Sequence, residues 1–209
     1  MIFETTNCLI IKKEHVLNGY QENIIHKLKI IEKVCDQAEG AMNLLFKKIN
    51  YDNWSQRNDV NNKEKMNLCL LRCALSEIVG IEDALGKYFS CDKIFHLSDT
   101  DDPIIHFIKE LRNFEIHIKE TSIGQNKINI TDNGEKVTDN NIDVCIIIDI
   151  LNIDLASFKK LRNFPKYTPQ QWAFMKEKFD ELQMDWGYQE VIVSAVEKYC
   201  SLIIDHYGL

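Results

Sequence analysis

The chain has no apolar run long enough to cross a bilayer, no Cys-x-x-Cys pair, no excess of basic residues and no basic, then apolar, leader. Each lack excludes something. A membrane-spanning helix needs about 20 largely apolar residues in succession, so no membrane partner is expected. The first residues, Met1-Ile2-Phe3-Glu4-Thr5-Thr6, carry an acid where a secretory signal would be basic, which points to a cytoplasmic protein. The seven cysteines, Cys8, Cys35, Cys69, Cys73, Cys91, Cys145 and Cys200, are odd in number and scattered, and so read as free thiols in a reducing compartment. A formal charge of -7 and a pI near 5.4 exclude a broad basic surface for coating nucleic acid. Arginine occurs only at Arg57, Arg72, Arg112 and Arg162, so any phosphate site must be small and local.

What remains has the composition of an ordinary globular protein, with 45% hydrophobic and 27% charged residues over 209 positions, enough to bury one core. The simplest organisation is a single, mainly α-helical domain covering 1–209. Between Glu22 and Ile49 the residues Ile24, Leu28, Ile31, Cys35, Ala38, Met42, Leu45 and Ile49 recur at steps of four and three, the stripe of a long helix packed nearly antiparallel on a neighbour. Gly40 is a place where it can bend. A polar break over Tyr51–Lys65 precedes a second long helix marked by Leu71, Leu75, Ile78, Ile81, Leu85 and Tyr88. Cys69 and Cys73, one turn apart on it, read as core residues, since no further ligand pair lies nearby to make a metal site.

Ser98-Asp99-Thr100-Asp101-Asp102-Pro103 announces a third helix, with Asp102 as cap and Pro103 in the first position, running to about Ile118 or Lys119. His96, Asp99, Asp101 and His106 have the superficial look of a metal cluster, but acids before a helix already complement its N-terminal partial charge, and no metal or cofactor is expected. A mixed β segment at about 121–155 follows, with a hairpin over Asn126–Thr131 and Asn133-Gly134 and a strand in the apolar run Val144–Ile150. Thr168-Pro169-Gln170-Gln171 then caps a helix to about Gln183, and a last helix spans roughly Tyr188 to His206. Trp54, Trp172, Trp186, Phe174 and Phe179 read as core aromatics rather than base-stacking groups.

Leu-Arg-Asn-Phe occurs twice, at 111–114 and 161–164. The second copy is followed by Pro165, which disfavours helix at Phe164, so the pair is no structural repeat and Arg162 reads as a surface or capping residue. The first copy opens Arg112-Asn113-x-x-x-His117. In a helix Asn113 and His117 share a face, while Arg112 lies about 140° round from His117 and must use its length to reach the same point. At the rim of a groove between helices or protomers its planar guanidinium suits phosphate oxygens. His117 sits in the last turn, where the negative end of the helix dipole favours an imidazolium. Glu115 points to another face. The plainer alternative leaves Arg112 and Asn113 as exposed helix residues, with His117 meeting the helix's terminal carbonyls.

Ile108-Lys109-Glu110-Leu111-Arg112-Asn113-Phe114-Glu115-Ile116-His117 resembles the helical Arg-x4-6-His motif of the HEPN (higher eukaryotes and prokaryotes nucleotide-binding) superfamily. The resemblance covers one helix. It implies a HEPN-like helical bundle, here with a β-hairpin and strand inserted after the third long helix, and metal-independent cleavage of RNA. It further implies Arg112, Asn113 and His117 as catalytic residues at a homodimer interface, and a toxin or phage-defence setting with an antitoxin protein as possible partner. Lys119 stands where one subgroup carries a modifiable tyrosine, so that form of regulation is not implied. Two rivals stand beside it: a non-catalytic helical interaction protein, and a nucleotide-binding module of the same fold.

Overall fold

The computed structural model describes residues 3, 8, 9, 32–45, 59–88, 94–118, 122–128, 131–132, 135–136, 145–151 and 153–208. The beginning of the expected 22–49 helix, Trp54 and Arg57 lie outside them. The protein is mainly helical. Helix α1 (Glu32–Leu45) runs through Gly40 without a break, and it lays the buried Ala38, Ala41, Met42 and Leu45 on α2 (Asp59–Tyr88). Gln37 lies at Gly80 and Gly40 at Glu77, so the two helices run antiparallel. The approach at Gly80 is close enough that the Gln37 amide oxygen fills the space a Cβ would need. Helix α2 begins at Asp59, inside the stretch expected to be a polar break, so the residues from Asp59 to Lys65 are helical despite their polarity. Its buried stripe is Leu68, Leu71, Ala74, Leu75, Ile78, Ile81 and Leu85. Cys69 and Cys73 lie off that stripe and are exposed thiols, not core residues; the apolar neighbours at 71 and 75 take the inward positions instead.

Helix α3 (Pro103–His117) is the most deeply held. Asp102 caps it: Oδ1 accepts from the backbone N–H of Ile104 at 2.7 Å and of Ile105 at 3.4 Å, and Oδ2 accepts from Lys198 Nζ at 2.7 Å. Ile104, Ile105, Phe107, Ile108, Leu111 and Phe114 are all buried, each contributing about 1.5–3 kcal/mol of apolar burial. Glu82 on α2 binds this helix through Lys109 Nζ, at 2.8 Å, and the short 3-10 turn Leu97–Asp99 through the Leu97 N–H, at 2.6 Å.

Strand β1 (Ser122–Ile128) pairs antiparallel with β4 (Cys145–Leu151), in the register Ser122 to Leu151 and Ile128 to Cys145, while β2 (Thr131–Asp132) and β3 (Glu135–Lys136) pair separately between them. The outer edge of β4 is met by a side chain. The buried Gln183 accepts from the Ile150 N–H at 2.9 Å and donates to the Ile150 carbonyl at 3.1 Å, replacing a neighbouring strand. A one-turn helix α4 (Leu155–Phe158), capped by Asp154, leads into the turn at 159–163 and a 3-10 turn at Phe164–Lys166. Thr168 and Gln171 form the capping box of α5 (Pro169–Trp186), which stops at Gly187, where φ is 82°. Helix α6 (Tyr188–Tyr207) is buried along most of its length and ends at Gly208.

One buried cluster joins α1, α2, α3, α5 and α6. Its aromatic centre is Phe158, stacked on Phe114 at 4.4 Å between centroids and edge-on to Trp172. Trp172 and Phe179 are core residues, and Phe174 and Trp186 are partly buried against the core. Among the described residues no helix is long and apolar enough to cross a membrane.

Two stability predictions follow from the polar anchors. Asp102→Ala lowers the free energy of unfolding by about 2–3 kcal/mol, losing the cap and a charge pair whose lysine can return to water. Asp102→Asn, which keeps the cap acceptor, loses about half as much. Equal losses in urea titrations would show that the cap bonds contribute nothing. Gln183→Met orphans the Ile150 N–H and carbonyl and costs about 2–4 kcal/mol; a change under about 0.5 kcal/mol would mean that water replaces the amide there.

Candidate functional site

Along α3 and its cap the polar residues Asp102, His106, Glu110, Asn113 and His117 recur at steps of four, four, three and four, a stripe on one side of the helix, with Lys109, Arg112 and Glu115 off it. Its inner members are each satisfied internally. His106 is buried, with Nε2 at 2.9 Å from the Thr100 carbonyl and Nδ1 at 2.8 Å from the Tyr167 hydroxyl. A carbonyl only accepts, so Nε2 carries the proton and Nδ1 accepts from Tyr167. Burial holds the His106 pKa below its ordinary value, and with Phe3 and Tyr167 packed on the ring it is a core histidine. The other members of the superficial metal cluster lie elsewhere: the His96 N–H donates to Asp99 Oδ2 at 3.0 Å, and Asp101 is exposed. Among the described residues no group of three or more metal-ligating side chains converges.

Glu110 comes next on the stripe, 1% exposed. Its Oε2 accepts from Asn113 Nδ2 and its Oε1 from Asn163 Nδ2, each at 3.2 Å. Burial pushes the carboxyl pKa up, opposed by the two amide donors and by Lys109 and Lys166. Asn113 is held at its other end by Arg112, whose Nη1 donates to Asn113 Oδ1 at 3.2 Å. Four side chains thus form one chain of hydrogen bonds, Arg112 to Asn113 to Glu110 to Asn163.

The stripe emerges from the core at an open groove of about 470 Å³, lined on the α3 side by Glu110, Asn113, His117 and Ile118 and on the other by Lys160, Leu161, Arg162 and Asn163. His117, Lys160 and Arg162 are exposed. Of the three residues singled out in the sequence, the groove takes Asn113 and His117, while Arg112 lies outside its lining, half-buried, with an Nε that finds no acceptor among the described residues. Glu115 faces away from His117, accepting from Arg72 Nε on α2 at 3.2 Å.

Sequence reasoning passed over Glu110, Lys160 and Asn163 and read Arg162 as a surface or capping residue; Arg162 is exposed but also lines the groove, and a signal was present. The two Leu-Arg-Asn-Phe copies have different backbones, helix in the first and turn in the second, so they form no repeat. They nevertheless meet. Leu111 and Leu161 are both buried, Asn113 and Asn163 share the Glu110 carboxylate, and Phe114 and Phe164 enter the aromatic cluster around Phe158 and Trp172. Only the arginines diverge: Arg112 bonds to Asn113, and the exposed Arg162 lines the groove.

The raised pKa of Glu110 has a testable consequence. A carboxyl that binds its proton more tightly when folded stabilises the fold fully below its unfolded pKa and loses that contribution as pH rises through the folded value. Glu110→Gln removes this dependence. The difference in urea midpoint between variant and wild type should therefore move in the variant's favour as pH rises from 4.5, the ordinary value; parallel curves would show that burial does not perturb this carboxyl. No protein-family model, curated protein or solved structure matches the chain.

Proposed function

We propose that this protein is a metal-independent RNA endonuclease of HEPN type, acting as a homodimer in the manner of a toxin or phage-defence effector, with the β segment inserted into a HEPN-like bundle. The observation that carries the reading is that Asn113 and His117 stand together at the open end of a buried polar stripe, facing Lys160 and Arg162 across a groove. An exposed histidine, beside fixed amide donors and two cations, is the equipment that phosphoryl transfer to a ribose hydroxyl needs.

In this mechanism His117 takes the proton from a ribose 2′-hydroxyl, the 2′-oxygen attacks the adjacent phosphorus, and the 5′-oxygen leaves with a proton from the copy of His117 in the second protomer. The products are a 2′,3′-cyclic phosphate and a free 5′-hydroxyl. Asn113, gripped at both ends by Arg112 and Glu110, orients the substrate. Arg112 stabilises the transition-state charge from the rim of the cleft that two protomers build. Ile116, 43% exposed, lies next to His117 and one turn on from Arg112, where a second copy of α3 meeting this helix would cover it. The rival interaction-protein reading draws on the fact that Arg112 and Asn113 already bond internally.

Incubation of the purified protein with total RNA in EDTA separates the two. Cleavage leaving cyclic phosphate ends is expected, with His117→Ala and Arg112→Ala each slower by about 100-fold or more while remaining folded and dimeric. RNA left intact at high protein concentration, or a His117→Ala variant as active as wild type, would overturn the nuclease reading.

A further inference from the structure

The groove's charge is opposite in sign to that of the protein. The chain carries a formal charge of -7, yet among the described residues Lys160 and Arg162 supply two cations to the groove lining against a single acid, Glu110, whose two oxygens are occupied by amide donors. Such a reversal inside an acidic molecule selects for an anion at one place.

Arg162 is built to meet one. On one side Leu161 is 5% exposed and anchored in the core; on the other, Asn163 is tied to Glu110, and Phe164 stacks on Trp172 at 5.2 Å while its carbonyl accepts from Trp172 Nε1 at 3.0 Å. The backbone at 162 is thus fixed on both flanks while the exposed Arg162 lines the groove, a placement that lowers the ordering cost of each bond its guanidinium makes. Within one protomer Arg112 lies outside this lining, with Nη1 on Asn113 Oδ1, so holding an anion in the groove falls to Arg162. Among the described residues the groove lining holds no Phe, Tyr or Trp on which a base could stack, while Lys160 and Arg162 offer charge to a phosphate.

Building on the nuclease reading, we propose that Arg162, with Lys160 beside it, holds a phosphodiester of single-stranded RNA in the groove opposite His117. Ground-state binding and transition-state stabilisation then fall to different arginines, Arg162 for the first and Arg112 for the second. Because the contact is with phosphate, affinity varies little with base sequence and falls with salt.

The test is fluorescence anisotropy with a 2′-O-methylated single-stranded oligoribonucleotide, which cannot be cleaved, so binding is read without activity. Arg162→Ala is expected to raise Kd by about tenfold or more and to flatten the dependence of log Kd on log salt by about 0.7. Arg162→Lys falls between the two. Lys159→Ala, which removes an equal charge from an exposed neighbour outside the groove lining, stays within about twofold of wild type. A Kd unchanged by Arg162→Ala, an equal loss in Lys159→Ala, or binding of inorganic phosphate as tight as that of the oligonucleotide would overturn the assignment. Arg162-dependent binding in a protein that leaves unmodified RNA intact would uphold the groove and refute the nuclease.

Discussion

A helix buried on nearly every side has no water to satisfy its polar side chains, and α3 places four of them inside: Asp102, His106, Glu110 and Glu115. Each buried polar group left without a partner costs about 1–3 kcal/mol, more if charged, so α3 can occupy the centre only if the surrounding elements bring partners to it. They do so from every direction. Lys198 comes from α6, Tyr167 and Thr100 from loops, Asn163 from the turn after α4, and Arg72 from α2. The arrangement of the other elements about α3 is largely the set of positions from which these bonds can be made, with apolar burial supplying most of the favourable free energy.

The same requirement accounts for the groove. Glu110 sits where α3 begins to leave the core, too deep for water and not deep enough to be enclosed by α3 alone. One of its oxygens is met from within the helix by Asn113. The other needs a donor from elsewhere, and Asn163 provides it by drawing the 159–163 turn against the end of α3. That turn carries Lys160 and Arg162 with it. The opposition of cations to His117 is thus a geometric consequence of satisfying one buried carboxylate. A structural interaction and a candidate binding surface share the same atoms.

Much of this was legible in the sequence, and the parts that were not share a cause. The cap at Asp102-Pro103, the capping box at Thr168 and the periodic apolar stripes are local signals, readable because their partners lie within a few residues. The helix through His117 and the separation of Glu115 from it followed from the 100° turn per residue. The exposed Cys69 and Cys73 escaped notice because cysteine is so often buried that composition outweighed the helical phase, and Leu71 and Leu75 on the inward face already marked the opposite side as outward. Asn163 meets Glu110 across 53 positions of sequence and Tyr167 meets His106 across 61, separations over which no local pattern carries information. The doubled tetrapeptide was visible, but treating it as either a repeat or a coincidence hid a third possibility, that two like segments with unlike backbones can converge on one acceptor.

The two arginines in those segments show how the acceptor within reach decides a side chain's role. In the helical copy the arginine adjoins an asparagine whose Oδ1 is unclaimed by Glu110, and a half-buried guanidinium takes the nearest oxygen, Asn113 Oδ1 at 3.2 Å. In the turn copy the asparagine also gives its Nδ2 to Glu110, but the arginine is exposed and lines the groove. A guanidinium there is hydrated until an anion replaces the water, so its interaction energy is available to a ligand instead of being consumed by the fold. The arginine within the readable motif is held by Asn113 through Nη1 while its Nε finds no acceptor among the described residues; the one outside it is exposed and lines the groove.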